Sequence, residues 1–194
     1  MAETVAGLPK GVGKRERTRS RLIEAAGQMI AERGYEATTL EAVASSVGMT
    51  RGAIYGNFKN RDDLFVAVLQ TYFRPLDPPF RRGATLKEQM RIVGEAVVAV
   101  VRAPKARPSL SAELQLYAET HEDMRLRLAR ITAEAVRQHA KKWLEFLPED
   151  ELPMPPEHFI IVVDALIDGL LFQRSVTPDL VTDQVIVAAF VALA

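Results

Sequence analysis

Arg51, Gly52, Ala53, Tyr55 and Asn57 fall on one side of a short helical stretch, with Ile54 and Phe58 one turn apart on the other. The outer set is small or hydrogen-bonding, carries one cation and holds no bulky aliphatic. Such a face can approach base edges in the DNA major groove closely and still touch phosphates. Arg51 offers a planar fork that matches a guanine edge, and Ala53 can touch a thymine methyl. Asn57 can reach a base or a phosphate, while Thr39, Thr50, Tyr55, Lys59 and Arg61 are placed to hold phosphates. Glu41 stands among them as a carboxylate, which argues against phosphate contact at its position; it can accept from cytosine or face solvent.

No other chemistry competes strongly. The chain has no cysteine, which excludes disulfides, thiolate metal sites and a Cys nucleophile. It has no HExxH, no GxSxG and no phosphate-binding glycine loop. His121, His139 and His158 are scattered and lack metal-type spacing, so neither a metal nor another cofactor is expected. Asp164 and Asp168 share a helix face four residues apart, but like charges one turn apart repel. They read as residues at an interface edge or as hydrogen-bonding groups, not as a catalytic pair, and the chain is not expected to be an enzyme.

Two helices joined by a turn would position the reading face. Over residues 38–58 the chain runs TTLEAVASSVGMTRGAIYGNF. Leu40, Val43, Ala44 and Val47 recur at helical spacing and Gly48 supplies a left-handed stop. Thr50 can cap the second helix, whose hydroxyl would accept from a first-turn amide. This is a helix-turn-helix with the second helix as reader.

That stretch resembles the DNA-binding motif of the TetR family of bacterial transcription regulators. The matching residues are Gly34-Tyr35, Thr38-Thr39, Val43-Ala44, Val47-Gly48, Gly52, Ile54-Tyr55, Phe58-Lys59 and Arg61, and the match extends from about residue 15 to residue 69. The resemblance implies an all-α fold of nine helices, with an N-terminal three-helix DNA-binding domain and a C-terminal helical domain for ligand binding and dimerisation. It departs at Gly56, where relatives often carry a larger side chain, and at Glu41, where some carry a cation.

The rest of the chain fits that plan. Residues 1–13, with three glycines and a proline, read as a flexible arm that either touches DNA or has no role. A first helix covers 14–33, with Leu22, Ala26, Met29 and Ile30 as its stripe. Arg15, Arg17, Arg19 and Arg21 crowd its start, where cations oppose the macrodipole; they are either a solvated face or hold one or two phosphates. The DNA-binding domain is expected over 14–73, with a fourth helix opening near Arg61 under an Asn60 cap. Pro75, Pro78 and Pro79 mark the boundary, and the second domain spans 84–194.

In that domain a Thr85/Glu88 capping box opens the fifth helix and Pro104 and Pro108 break it. A sixth helix over 109–119 follows, then a cap-like 120–123 and a seventh helix to about 146. The eighth covers 157–174, and Thr177 with Pro178 is expected to open the ninth, which runs to the C-terminus. FIIVVDALIDGLLF and VIVAAFVALA leave almost no polar face, so these last two helices need cover on more than one side. A second copy supplies it most simply, in a four-helix bundle about a two-fold axis with Asp164, Ile167, Leu171, Val187 and Phe190 at the interface. The resemblance implies the same dimer, and a small-molecule site enclosed among the fourth to eighth helices. Met90, Leu114, Tyr117, His121, Met124, Leu128, Trp143, Phe159 and Phe172 could wall that site, and such a wall suits a largely apolar effector.

Charge agrees in sign. Residues 1–75 hold 11 Lys+Arg against 8 Asp+Glu, and the remainder 14 against 17, so a mildly basic N-terminal third faces an acidic rest. There is no 18-residue uncharged apolar run and no apolar centre at the start to make a signal peptide, so a cytoplasmic chain is expected. Read together, these features lead to a ligand-responsive homodimeric repressor on a near-palindromic double-stranded operator. The alternative is a helical interaction protein that keeps the fold without reading DNA sequence.

Overall fold

The computed structural model describes residues 13–72, 76–103, 108–147 and 149–194, with the backbone alone at 72, 108–111 and 114. The expected arm before Gly13, Pro75, Pro104 and the side chain of Leu114 lie outside the described residues. Among those residues there are nine α-helices, one 3₁₀ turn at Glu149–Glu151 and no strand. The helices are α1 Lys14–Arg33, α2 Leu40–Ser46, α3 Arg51–Tyr55, α4 Arg61–Tyr72, α5 Leu86–Arg102, α6 Pro108–Thr120, α7 Glu122–Trp143, α8 Pro156–Val176 and α9 Asp183–Val191. The chain divides into two compact units, Met1–Thr71 and Tyr72–Ala194.

In the first unit α1 buries Leu22, Ala26, Met29 and Ile30, and α2 buries Leu40, Val43 and Ala44. Ile54, Phe58, Leu64, Phe65 and Val68 complete the interior, all at 2% exposure or less. Tyr35 stacks on Phe65 at 4.1 Å between ring centroids and donates its hydroxyl to Asp62 at 2.5 Å. Burial of these side chains removes apolar surface from water at about 25 cal/mol per Å², which is what holds three short helices that are too short to persist alone.

In the second unit Met90, Val93 and Val97 of α5, Val136 and Trp143 of α7, Phe159 and Val163 of α8, and Ile186 and Phe190 of α9 form one core. The capping box opens α5: Thr85 accepts from the Glu88 amide, and the Glu88 carboxylate accepts from the Thr85 amide at 2.8 Å. Gln89 is fully buried, yet both ends of its amide are satisfied by the Arg81 backbone, at 2.5 and 3.1 Å. Helix α9 lies so close on α5 that a Cβ at Gly94 would come within 2.8 Å of the Val187 Cα.

Three expectations are corrected here. Thr177 does not open α9; it closes α8, its amide and hydroxyl both donating to the Gln173 carbonyl at 2.7 and 2.9 Å. The cap of α9 is Thr182, whose hydroxyl accepts from the Val185 amide, with Pro178 left in the turn between them. Thr120 does not cap α7: its hydroxyl donates to the Tyr117 carbonyl, His121 occupies the cap position, and α7 ends at Trp143 instead of 146. Phe190 is not an interface residue, because the chain's own core covers it completely.

Candidate nucleic-acid interface

Helix α2 is capped by Thr39, which accepts from the Ala42 amide at 3.1 Å, and α3 by Thr50, which accepts from the Ala53 amide at 3.3 Å. The turn between them passes through Gly48 at φ 66, a left-handed backbone that a side chain would strain. The turn also closes on itself through the Met49 amide, which donates to the Ala44 carbonyl at 2.8 Å. Burying Ile54 and Phe58 against this frame turns the opposite side of α3 outward.

Arg51 and Tyr55 stand on that outward side, Arg51 with 77% of its side chain exposed and Tyr55 at 51%. Thr39, Thr50, Gly52 and Lys59 are also exposed, and Ala53 is half-buried. The reading set is therefore presented to solvent and not folded into the body of the unit. Asn57 is half-buried, and its amide donates to the Ala53 carbonyl at 2.7 Å, so it finishes α3 as well as lining the face. Arg61 lies over the Tyr35 ring at 4.3 Å and donates to the Glu36 carbonyl at 3.2 Å, which turns it toward the loop after α1.

Two features escaped the sequence reading. The first is Glu41, which does not simply face solvent. One of its carboxylate oxygens accepts from the Tyr55 hydroxyl at 2.7 Å and from the Arg51 guanidinium at 3.1 Å. The Tyr55 hydrogen bond, followed by its own backbone amide and Arg51, holds the Glu41 carboxyl below its ordinary range. The same bond pushes the Tyr55 phenol up.

The second is the arginine row on α1. Arg15 donates to the Gly56 carbonyl at 3.2 Å, Arg19 to the Asn57 carbonyl at 2.9 Å and Arg21 to the Val47 carbonyl at 3.2 Å. Those carbonyls close the C-terminal ends of α3 and α2, where cations are favourable. Arg19 also lies over the Phe58 ring at 4.4 Å. Arg17 is exposed and makes no bond of this kind among the described residues.

The candidates for a ligand wall in the second unit are distributed differently. Met90, Trp143 and Phe159 belong to its core and Met124 is buried. Tyr117 and Leu128 are half-buried, His121 is exposed and stacked on Tyr117 at 3.7 Å, and Phe172 is 47% exposed. Burial thus divides them among core, half-buried and exposed positions. On α8, burial and the charge of Asp168 raise the Asp164 carboxyl to about 6, and burial raises Asp168. Ile167 and Leu171 of α8 and Val187 of α9 are half-buried. Among the described residues, no helix is long and apolar enough to cross a membrane and no group of three or more His, Asp or Glu could hold a metal ion.

Comparison with known proteins falls on the same region. Residues 22–68 match the family model for bacterial regulatory proteins of the tetR family. An HTH-type transcriptional regulator of Pseudomonas putida, SrpR, is 30% identical over 98 residues, covering 50% of this chain and 46% of its own length. The chain thus matches about half the length of that relative. Among solved structures, Salmonella enterica GusR superposes with a TM-score of 0.70 at 19% identity, over 94% of this chain and 97% of that one. NalD, the secondary repressor of the MexAB-OprM multidrug efflux pump in Pseudomonas aeruginosa, superposes at 0.65 with 24% identity, over 93% and 94%. At these identities the structural likeness establishes the fold.

Proposed function

We propose that the chain, whose residues 22–68 match the family model for tetR-family regulatory proteins, is a DNA-binding transcription regulator that acts as a homodimeric repressor on a near-palindromic operator. The observation that carries the reading is the outward face of α3, with Arg51 and Tyr55 exposed above a fully buried Ile54. Arg51 reads a guanine edge, while Lys59, Thr39 and Thr50 hold phosphates, and Tyr55 joins them only when its hydroxyl leaves Glu41. Gly52 leaves the backbone free to approach the groove. The two threonines retain a hydroxyl hydrogen after accepting their capping bonds, so they can donate to phosphate without uncapping their helices.

Dimerisation through α8 and α9 is supported by what those helices leave uncovered. Ile161, Phe172 and Val176 of α8 and Val185 of α9 are each at least 43% exposed in the single chain. A second copy would bury them and place the two readers in successive major grooves, ~34 Å apart. Such a protein works in the cytoplasm, where its operator is. A largely apolar effector held among the helices of the second unit would act through α4, which leads by chain continuity from the reading unit into the ligand-binding unit. It shifts the equilibrium only by the difference in its affinity for the two spacings of the readers.

The test is selection of bound duplexes from random sequence with the full chain. Enrichment of a near-palindrome with half-sites about one helical turn apart is expected. Absence of any duplex affinity at low salt would overturn the proposal.

A further inference from the structure

We propose that Glu41 is a specificity-determining residue which positions the reading side chains Arg51 and Tyr55 and keeps them from indiscriminate phosphate contact. The inference rests on the DNA-reading function proposed above. A single Glu41 oxygen accepts from both side chains, at 3.1 Å from Arg51 and 2.7 Å from Tyr55, which lie on the two ends of α3. The carboxylate therefore bridges α2 to both ends of the reader. It is half-exposed itself, at 37% of its side chain, so it stands on the surface that DNA would meet.

The consequences follow from donor counts and charge. An arginine has five N–H donors in a rigid fork, and one of them is engaged by Glu41. The remainder can still address the two acceptors of a guanine edge, and the fork arrives with fewer rotamers to lose. A tyrosine hydroxyl has one hydrogen, and Glu41 takes it. Tyr55 can donate to a phosphate only by leaving the carboxylate. Phosphates alone are thus poor competitors at this spot, because they are repelled by the same carboxylate that they must displace. A correctly placed base edge loses nothing, since Arg51 can serve Glu41 and guanine together.

The experiment compares wild type, Glu41→Ala, Glu41→Gln, Arg51→Ala and the Glu41→Ala/Arg51→Ala double variant. Each is put through selection from random duplexes and titrated with a duplex unrelated to the selected site. Glu41→Ala is expected to flatten the preference at the base pair that Arg51→Ala also flattens, with the double variant no flatter than Arg51→Ala alone. It is also expected to bind unrelated duplex about 3- to 10-fold more tightly, as one repelling charge leaves the phosphate side. Glu41→Gln keeps an acceptor and loses the charge, so it should retain the base preference while gaining the same unrelated-duplex affinity. Unchanged base preference in Glu41→Ala, or an additive double variant, would overturn the role of Glu41 while leaving the regulator reading intact. Wild type that enriches no duplex would instead overturn the regulator reading itself. Should Glu41→Ala not fold, Tyr55→Phe with Glu41→Gln carries the test: Glu41→Gln bound to unrelated duplex no better than wild type sinks the proposal.

Discussion

The arginine row on α1 offers a sharp experiment, because the structure gives neighbouring arginines opposite roles. Arg19 donates a charged hydrogen bond to the Asn57 carbonyl at 2.9 Å and covers the Phe58 ring at 4.4 Å. A hydrogen bond to a charged donor contributes about 1.5–3 kcal/mol, and an exposed cation–π contact about 0.5–1. The two share one guanidinium, and the side chain is only part-buried, so Arg19→Ala should cost about 2 kcal/mol. In a unit of this size each kcal/mol moves the melting temperature by about 4–8 °C, so a drop on the order of 10 °C is expected. Arg17→Ala removes no such bond and should leave the melting temperature within about 1–2 °C of wild type. Far-UV circular dichroism follows the helices of both units, while fluorescence of Trp143, the chain's single tryptophan, reports the second unit separately. The DNA measurement should then divide the pair the other way. Arg17→Ala, if its free side chain meets phosphate, lowers the slope of log affinity against log salt by about 0.9, and Arg19→Ala leaves the slope unchanged once the protein is folded. Wild-type stability in Arg19→Ala, or a loss in Arg17→Ala as large as in Arg19→Ala, would refute the assignment of this row to helix ends.

Gly94→Ala should destabilise the second unit by about 1–2 kcal/mol despite the better helix former, because its methyl would meet the Val187 backbone; a urea titration followed at Trp143 checks this. Asp164→Asn should stabilise the chain at pH 8 and do nothing near pH 4. The folded carboxyl titrates at about 6 against 3.8 unfolded, so stability is highest below the lower value and falls as pH rises through the upper one. The full shift corresponds to about 3 kcal/mol, and partial exposure to water reduces it to about 1; an unfolding series between pH 4 and 8 on both forms reads it directly. Val185→Asp should give monomers by light scattering with helicity retained, since Val185 is 43% exposed, whereas Phe190→Asp should unfold the second unit, since Phe190 is fully covered. A dimeric Val185→Asp would place the interface elsewhere.

What could be read from the chain before folding was what closes within four residues. Thr50, Asn60 and Thr85 each cap a helix through an amide three positions on. The stripe of α1 and the inner pair Ile54 and Phe58 likewise follow from period alone. Period fails at α9, where two threonines offer the same start signal. Thr182 wins over Thr177 because Thr177 is already spent on the end of α8. Period also fails to orient a helix that is apolar on every side. Gly94 on α5 leaves room for the α9 backbone to approach at Val187, and α9 packs there with Ile186 and Phe190 in the core.

The arginines and Glu41 lay beyond reach for a related reason. The carbonyls that receive Arg15, Arg19 and Arg21 are 41, 38 and 26 residues away, and a backbone carbonyl at a helix end carries no residue-type signature. The charge that looks addressed to DNA is thus divided by tertiary packing, part spent on holding α2 and α3 together and part left outward. A basic segment beside a reading helix cannot then be converted into phosphate contacts by counting cations. The salt slope of this protein should be smaller than its N-terminal Lys and Arg content implies, because Arg15, Arg19, Arg21 and Arg61 already have partners within their own unit, and Arg51 begins from a carboxylate it need not leave.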